Sequence, residues 1–298
     1  MRKRVGIIGA GVVGTAVGIA LAAKGYEITG VFDIKPESTN MLAARTGVQK
    51  FPASHSVAQA AQILFITVND SAIRTVVKQL SENKSFHKNQ MVVHMSGSQS
   101  SEVLDAARDG GACVVSIHPL QAFASPEQAI LNMQGSIFSI EGDEEAHEDA
   151  RRIVECLGGE YFLIERQAKT LYHAGACVVS NYLVTLVDFG VKLLESTGIP
   201  REMAVRALLP LIQGTVKNVE NVGLPMALTG PISRGDIDTV AGHLDSLERV
   251  SPEQIHLYSS LGLYTSRLAL EKGSIDVERL GQLQDLFLNS LSRLAVAS

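Results

Sequence analysis

Short apolar runs alternate with mixed stretches over the first 165 residues of the chain. Each run has the length of one buried strand, and several of the stretches between the runs carry apolar residues at helical spacing. Strands that alternate with helices indicate a mostly parallel sheet, whose ligands bind at the carboxyl ends of the strands. The predicted strands lie at residues 5–8, 27–32, 63–67, 91–94, 112–117, 136–141 and 160–164.

From about residue 165 the pattern changes to helices. Residues 169–194 are almost continuously apolar, so we expect this helix to be buried on most sides. Further helices are predicted at residues 201–222, 252–272 and 276–295. The pattern therefore predicts an α/β domain at residues 1–165 and an all-helical domain for substrate binding and dimerisation at residues 166–298.

Three glycines follow the first predicted strand in the spacing Gly-x-Gly-x-x-Gly. Gly9 permits a tight turn, Gly11 lets the backbone approach a pyrophosphate, and Gly14 lets the next helix pack closely on the strand. The first free N–H groups of that helix, including those of Val12 and Val13, then face the bound anion. We predict that this loop holds a dinucleotide cofactor, NAD or NADP.

Asp33 completes the predicted cofactor site. It ends the second strand 19 residues after Gly14, where a carboxylate accepts hydrogen bonds from the adenosine ribose. The basic tip of Arg2, Lys3 and Arg4 and the apolar run behind it also resemble a secretory signal or a short membrane span. The order of strand, glycines, helix, strand and acid favours the cofactor loop over both.

Further candidate residues follow later strands at the expected ligand edge. Val68 and Asn69 come after the third strand, Ser96 after the fourth, and His118 ends the fifth. We predict that Val68, Asn69 and Ser96 contact the cofactor and that His118 is a candidate catalytic residue. The alternatives are that Asn69 caps the next helix, that Ser96 belongs to a turn, and that His118, which precedes a proline, points to solvent.

A polar stripe interrupts the long apolar helix. His173, Asn181, Thr185 and Asp188 recur at helical spacing along one face, with Cys177 between the first two. Polar groups on a buried helix need hydrogen-bond partners. We predict that the stripe lines the cleft toward the nicotinamide. A satisfied core network or a subunit contact is the alternative.

The stretch MALTGPISRGDIDTVAGHL combines glycine and proline with several polar groups. Loops carry binding sites more often than the scaffold does. Arg234 is a candidate for binding a substrate carboxylate, because a guanidinium pairs with both carboxylate oxygens. A pair between Arg234 and Asp236 that braces the loop is equally compatible with the sequence.

Composition excludes several other classes of function. A net charge of −5 argues against nucleic-acid binding, which needs clustered Lys and Arg. Cys113, Cys156 and Cys177 lie far apart and form neither a disulfide framework nor a zinc site, so we predict no metal and a cytoplasmic location. Beyond the opening stretch we expect no membrane span.

The motifs GIIGAGVVG, HMSGSQSSEVL, SIHPLQAF, YHAGACVVSNYLV and ALTGPISRGD followed by GHL resemble bacterial proteins that join a Rossmann-like domain to a helical domain of unknown function. The resemblance covers nearly the whole chain and implies a helical domain like the C-terminal domain of 6-phosphogluconate dehydrogenase. The architecture is also similar to 3-hydroxyacid dehydrogenases, pyrroline-carboxylate reductases and ketopantoate reductases. It implies an NAD(P)-dependent oxidoreductase, with ketopantoate reduction as one possible activity.

The chain departs from these relatives at the catalytic lysine. Ketopantoate reductases carry a lysine followed by asparagines four and eight residues later, and the corresponding places here hold His173, Cys177 and Asn181. The lysine of 3-hydroxyacid dehydrogenases would fall on Cys177. The resemblance therefore makes His173 the first choice for the acid and His118 the second, with Asn181 orienting the carbonyl.

The sequence as a whole predicts a homodimer that passes hydride from a nicotinamide to a small carbonyl acid. Asp33 favours NAD, because a carboxylate repels a 2′-phosphate, although Lys35 and Ser38 could serve NADP. An imine reductase is the main alternative and needs less acid help, since its substrate is already cationic. A regulatory protein that binds the cofactor without turnover is the alternative from another class.

Overall fold

The computed structural model describes residues 3–297, with side chains up to residue 293. The chain divides into an α/β unit that ends at Ser180 and a helical unit that starts at Asn181. Within the described residues, the α/β unit contains seven strands: β1 (Arg4–Ile8), β2 (Glu27–Phe32), β3 (Ile63–Ile66), β4 (Met91–His94), β5 (Cys113–Pro119), β6 (Ile137–Gly142) and β7 (Glu160–Leu163).

These strands form one sheet in the order β2-β1-β3-β4-β5-β6-β7. Neighbouring strands are parallel except β5 and β6, which are antiparallel. The predicted mostly parallel sheet is therefore confirmed. The antiparallel pair brings the beginning of β6 beside the end of β5, so residues from both strands lie at the edge where a parallel sheet binds its ligands.

Both faces of the sheet are covered, because successive strand residues are apolar. Ile7 and Phe65 belong to the core on one face, whereas Ile8 and Ile66 belong to the core on the other. Such two-sided burial is typical of strands in parallel sheets. The helices of this unit are α1 (Val12–Ala23), α2 (Thr39–Thr46), α3 (Ser54–Ala60), α4 (Asp70–Glu82), α5 (Pro126–Met133), α6 (Glu144–Cys156) and α7 (Lys169–Val179).

The helical unit has its own small core, in which Val240, Leu244, Leu283 and Phe287 are buried together. A Cβ added to Gly262 would overlap the ring of Phe287, so glycine permits this packing. The predicted helical C-terminal region is confirmed. Its helices are α8 (Asn181–Glu195), α9 (Arg201–Val222), α10 (Ile237–Val250), α11 (Ile255–Glu271) and α12 (Val277–Ala297).

The long helix predicted at residues 169–194 differs from the structure in two ways. It is two helices, since α7 ends at Val179 and α8 begins at Asn181. The expectation of burial on most sides is wrong, because Leu171 is 78% exposed and Val184 is 70% exposed. The compact sheet unit includes α7 and ends at Ser180, while the predicted functional domains at residues 1–165 and 166–298 stay a prediction.

The segment Arg166–Glu195 is long and apolar enough to cross a membrane by length and composition. This finding departs from the expectation that no span follows the opening stretch. A single segment of this kind is weak evidence for a membrane span, and here it is divided into α7 and α8.

Candidate active site

The turn after β1 depends on two glycines that touch β3. Gly9 has a φ of +97°, and a Cβ added there would lie 2.6 Å from the carbonyl carbon of Thr67. A Cβ on Gly14 would overlap the carbonyl oxygen of Gly9 and Oγ1 of Thr67. The loop and α1 therefore approach β3 more closely than a larger residue allows, which is the packing that the glycine spacing predicts.

Gly11 lies in open space instead. Its φ is −70°, and a Cβ added there would meet nothing within 4 Å. Helix α1 begins at Val12 without a capping side chain, and its first backbone hydrogen bond runs from the N–H of Thr15 to the carbonyl of Gly11. The N–H groups of Val12 and Val13 thus have no partner within the helix. Free space before an uncapped helix start fits a pyrophosphate.

Asp33 braces this loop. Its Oδ2 accepts a hydrogen bond from the N–H of Ala10 at 2.7 Å, and its Oδ1 accepts one from the N–H of Lys35 at 2.8 Å. The carboxylate thereby ties the glycine loop to the end of β2. This bracing role comes in addition to the ribose contact predicted for Asp33.

A cavity of about 440 Å³ opens beside the glycine loop and has the size of a small-molecule site. Val68 and Asn69, both predicted cofactor contacts, line it together with Lys35 and Ser38. The side chain of Asn69 makes no capping hydrogen bond to α4, so the alternative role as a helix cap is not realised.

Ser96 holds the turn that follows β4. Its Oγ donates to Oδ2 of Asp70 at 2.6 Å and accepts the N–H groups of Ser98 and Gln99 at 3.2 and 3.1 Å. Oδ2 of Asp70 also accepts a hydrogen bond from Oγ of Ser98 at 2.9 Å. These contacts agree with the alternative that Ser96 belongs to a turn. The predicted contact of Ser96 with the cofactor stays a prediction.

A cluster of polar side chains lies on one face of the sheet where β4, β5 and β6 meet. Ser116 pairs in register with His94 of β4 and Glu141 of β6, and His118 pairs with Ser139 of β6. Residues that pair in register present their side chains to the same face. All of them except His118 are at most 3% exposed, so the cluster is shielded from water.

Lys169, the first residue of α7, enters this cluster and is 1% exposed. Its Nζ donates to Oγ of Ser116 at 2.7 Å and to Oγ of Ser139 at 3.5 Å. Burial lowers the pKa of Lys169 to about 8, while the negative charges of Glu141 and Asp70 oppose that shift. An ammonium with a depressed pKa among hydrogen-bonding side chains is typical of functional sites.

His118 lies half-buried beside this lysine rather than in solvent. Its Nδ1 is 2.8 Å from the hydroxyl of Tyr172 on α7. Burial lowers the pKa of His118 to about 3, and the positive charges of Lys169 and His173 act in the same direction. His118 is therefore a neutral imidazole at pH 7.

The two histidines predicted as candidate acids lie together, with the ring centroids of His118 and His173 6.3 Å apart. A Cβ on Gly97 would lie 2.6 Å from Nε2 of His118 and 2.6 Å from Cδ2 of His173, so only glycine fits beside both rings. Sγ of Cys177 lies 3.8 Å from Nδ1 of His173. Lys169 was missed from the sequence, although a lysine one helical turn before a candidate histidine is a usable signal.

His94 has a structural role in the cluster. Its Nδ1 accepts a hydrogen bond from the N–H of Ser96 at 3.1 Å, and its Nε2 lies 3.2 Å from the carbonyl oxygen of Ser100. Burial lowers the pKa of His94 to about 4, and the charge of Lys169 adds to this effect. Both ring nitrogens are therefore engaged with backbone, and the imidazole stays neutral.

Two of the predicted site residues belong to the helical unit. Asn181 begins α8 and is exposed, so the predicted polar stripe does not run along one continuous helix. Arg234 is exposed at the end of the 3₁₀ turn Ile232–Arg234. Asp236 caps α10 by accepting hydrogen bonds from N–H and Oγ1 of Thr239 at 3.1 and 2.7 Å, and no ion pair to Arg234 is formed among the described side chains.

Across the described side chains, no group of three or more His, Cys, Asp or Glu could hold a metal ion. Cys113, Cys156 and Cys177 are free thiols of intermediate exposure. Burial raises the pKa of the Cys113 thiol, with the charge of Asp143 contributing. This thiol therefore stays protonated near neutral pH.

Two domain families match the chain. A Rossmann-like domain matches residues 1–119, and the domain of unknown function DUF2520 matches residues 136–265. The second match begins just before β6 and so includes the last part of the sheet as well as much of the helical unit. No curated protein matches the chain in sequence.

Solved structures share the fold over most of the chain. A candidate NADP oxidoreductase from Bacteroides fragilis is 23% identical, with a TM-score of 0.71 over 89% of this chain and 98% of that one. An imine reductase from Pseudomonas sp. is 15% identical, with a TM-score of 0.60 over 84% and 88% of the two chains. A pyrroline-5-carboxylate reductase from Coxiella burnetii is 13% identical, with a TM-score of 0.57 over 98% of both. The chain thus joins a Rossmann-like domain to a DUF2520 domain and shares its fold with these proteins.

Proposed function

We propose that the protein is an NAD(P)H-dependent reductase of a small carbonyl or imine compound. One observation carries this proposal: a single sheet presents both an uncapped helix start with open space at Gly11 and a buried lysine–histidine cluster at its carboxyl edge. The Rossmann-like match and the fold shared with an NADP oxidoreductase and an imine reductase support it.

The residues of the α/β unit suit a nicotinamide dinucleotide. The N–H groups of Val12 and Val13 would hold the pyrophosphate in the space beside Gly11, and the cavity bordered by Asp33 would take the adenosine. When bound, such a cofactor supplies hydride. A carbonyl that accepts hydride also needs a proton on its oxygen, and the chain must provide it.

We propose NADPH as the preferred cofactor, in place of the NADH that the charge of Asp33 alone favours. Both oxygens of Asp33 accept backbone N–H groups, which draws the carboxylate to the loop. Lys35 and Ser38 line the same cavity, so a 2′-phosphate would meet an ammonium and a hydroxyl. The fold shared with the candidate NADP oxidoreductase from Bacteroides fragilis supports this choice. Dissociation constants for NADPH and NADH, measured by fluorescence titration, test it.

We place His118 ahead of His173 as the proton donor, which reverses the order suggested by the resemblance. The contact between Nδ1 of His118 and Tyr172 orients the ring so that Nε2 faces Gly97. The partner of His173 is the thiol of Cys177 at 3.8 to 3.9 Å, which orients an imidazole weakly.

The first candidate substrate is a 2-keto acid such as ketopantoate. Asn181 would orient the carbonyl and Arg234 would bind the carboxylate, and both remain proposals from the sequence. An imine is the second candidate, and the neutral state of His118 favours it, because a cationic iminium is reduced without an added proton.

We also propose a homodimer formed through the helical unit. Helices α8 and α9 leave Val184, Leu211, Val216 and Val222 between 57% and 70% exposed. Apolar surface of this extent marks an interaction site. Light scattering after size-exclusion chromatography tests the mass. The three free cysteines support the proposed cytoplasmic location, because a reducing compartment maintains thiols.

The test of the proposed function is a turnover assay with NADPH and NADH against ketopantoate, other 2-keto acids and 1-pyrroline-5-carboxylate. Oxidation of the reduced nicotinamide, followed by its absorbance, is the expected result with at least one substrate. Tight cofactor binding with no oxidation across the whole panel would instead favour the nucleotide-sensing alternative.

A further inference from the structure

A further cavity of about 510 Å³ opens at the carboxyl edge of the sheet, and we call it the Arg74 cavity. Helix α4, the turn after β4 and the start of α7 border it, so its lining belongs to the α/β unit. Cations and hydroxyl groups, which are the donors that bind an anion, share this cavity. They are Arg74, Arg166, Lys169, Ser98, Ser100 and Thr170.

Two of the three cations leave positive charge for a ligand. Arg166 is already paired, because its guanidinium lies 3.1 Å from the carboxylate of Glu102 and 3.6 Å from that of Glu141. No ion pair to Arg74 is formed among the side chains that the structure describes. Lys169 donates to two neutral hydroxyls rather than to a carboxylate. The charges of Arg74 and Lys169 therefore favour an anion in the cavity.

The contacts of Asp70 place Arg74 beside the turn after β4. Oδ2 of Asp70 accepts hydrogen bonds from Oγ of Ser96 at 2.6 Å and from Oγ of Ser98 at 2.9 Å. Arg74 follows Asp70 by four residues in α4, so the two side chains lie on the same face of the helix. The carboxylate is thus engaged with hydroxyls, and the guanidinium one turn later borders the cavity.

The Arg74 cavity adjoins the place proposed for the reaction. Ser98, which lines the cavity, directly follows Gly97, the residue beside Nε2 of His118. Lys169 also lines it, and its Nζ lies 2.7 Å from Oγ of Ser116, two residues before His118 in β5. Adjacent residues are about 3.8 Å apart at Cα. A ligand that reaches both places therefore needs its anionic group within a few bonds of its carbonyl.

We propose that the Arg74 cavity binds the carboxylate of the substrate, with the Arg74 guanidinium as its main partner. A guanidinium donates two parallel hydrogen bonds to a carboxylate, and the hydroxyl of Thr170 is a further donor. This inference rests on the proposed reductase function and names its substrates as acids whose carboxylate lies next to the carbonyl or imine group. It gives Arg74 the role that the sequence suggested for Arg234.

Lys169 would act on both ends of such an acid. The residue is 1% exposed, so its charge is poorly screened by water. Glu141 of β6 and Asp70 of α4 oppose that charge from a distance, since neither forms an ion pair with Lys169 among the described side chains. Hydride addition moves negative charge to the carbonyl oxygen, and an ammonium beside the bound carboxylate stabilises that oxygen as well.

The same charges set the imine substrates that the site accepts. A cationic iminium without an acid group would meet Arg74 and Lys169 with no opposite charge of its own to offer. An imine that carries a carboxylate, such as 1-pyrroline-5-carboxylate, would place that group in the Arg74 cavity. The proposal therefore holds for either candidate substrate class and requires a carboxylate in both.

The first experiment needs no turnover. Calorimetry measures the binding of oxamate, an amide analogue of a 2-keto acid that accepts no hydride, to the full-length protein with bound NADPH. We expect Arg74→Gln to weaken oxamate binding roughly 10- to 150-fold, the scale of hydrogen bonds to a charged group, and Arg74→Lys to restore part of it. Lys78→Gln is the matched control, because Lys78 lies one turn further along α4, is 73% exposed and does not line the cavity.

The melting temperature of Arg74→Gln should equal that of the parent, because the exposed Arg74 forms no ion pair among the described side chains. Parental oxamate affinity in Arg74→Gln would overturn the proposal. A loss of affinity found in Arg234→Gln but not in Arg74→Gln, or no oxamate binding by the parent, would overturn it as well.

The second experiment compares ketopantoate with its uncharged lactone as substrates of the NADPH-bound protein. Arg74→Gln should raise KM for ketopantoate at least about tenfold and change KM for the lactone less than about twofold, because only the acid offers a carboxylate. Equal changes for the two compounds would contradict a carboxylate site. Failure of the parent to reduce any compound would refute the proposed function, while the oxamate titration still decides whether Arg74 binds an acid.

Discussion

Replacing Gly11 with valine should weaken cofactor binding at least about 100-fold and leave the fold intact. The backbone φ at Gly11 is −70°, which any residue adopts, and an added Cβ meets no atom within 4 Å. A β-branched residue at the N-cap costs about 1 kcal/mol relative to glycine. For a protein of this size the melting temperature should fall by about 2–4 °C.

The loss of binding should be much larger than the loss of stability. The valine side chain would occupy the space that a pyrophosphate needs in front of Val12 and Val13. Two N–H groups donating to a charged phosphate contribute about 1.5–3 kcal/mol each, so the loss is about 3–6 kcal/mol. The dissociation constant for NADPH should therefore rise about 100- to 20,000-fold.

Fluorescence titration with NADPH and thermal unfolding with and without NADPH provide the two readouts on the same samples. A saturating cofactor at 100 times its dissociation constant stabilises the parent by about 2.7 kcal/mol, and this increment should vanish in Gly11→Val. Gly14→Ala is the matched control for a glycine substitution that acts on stability. Its Cβ would overlap the carbonyl oxygen of Gly9, so its melting temperature should fall more than that of Gly11→Val. Parental NADPH affinity in a folded Gly11→Val protein would refute the assignment of this loop.

Four further outcomes are expected. Gly97→Ala should reduce turnover at least tenfold and leave NADPH affinity unchanged, because the added Cβ would lie 2.6 Å from Nε2 of His118. An unchanged kcat would contradict the placement of the reaction beside His118. Lys35→Glu should weaken NADPH binding more than NADH binding, whereas equal effects in parallel titrations would exclude Lys35 from cofactor choice. Ketopantoate turnover should fall as pH rises through about 8, since the Lys169 ammonium then loses the positive charge that would stabilise the developing alkoxide. A pH–kcat profile of the parent that stays flat to pH 10 would contradict this. The free energy of unfolding should rise between pH 8 and pH 10.5, because Lys169 is deprotonated in the folded protein and still protonated in the unfolded chain over that range. The cost of burying the Lys169 ammonium disappears there.

The cofactor loop and the sheet are predictable because their signals are local. Gly9, Gly11 and Gly14 fall within six residues, so their spacing can be recognised in the sequence without knowledge of the tertiary contacts. The apolar runs likewise give the strands, since two-sided burial leaves a continuous apolar run in the sequence. The predicted bounds of α9 agree with the structure because Pro200 and Gly223, residues that break helices, flank it.

The buried cluster around Lys169 depends on residues that the sequence keeps apart. Ser139 and Lys169 are 30 positions apart and meet only because β6 runs antiparallel to β5 and α7 returns to the sheet. Lys169 is part of an apolar helix pattern, and neither its burial nor its lowered pKa is a property of neighbours along the chain. Desolvation depends on every atom packed around the amine, which the linear pattern does not contain.

In the helical unit, the sequence identifies where helices form but not which of their faces are buried. An apolar helix pattern identifies residues 169–194 as helical, but the pattern is identical whether the apolar face packs inside the chain or is left for a partner. Tertiary packing decided that Val184 is 70% exposed and that α7 separates from α8 at Ser180. Hydrophobic periodicity thus determines where helices form, whereas the surfaces available for burial determine which faces are covered.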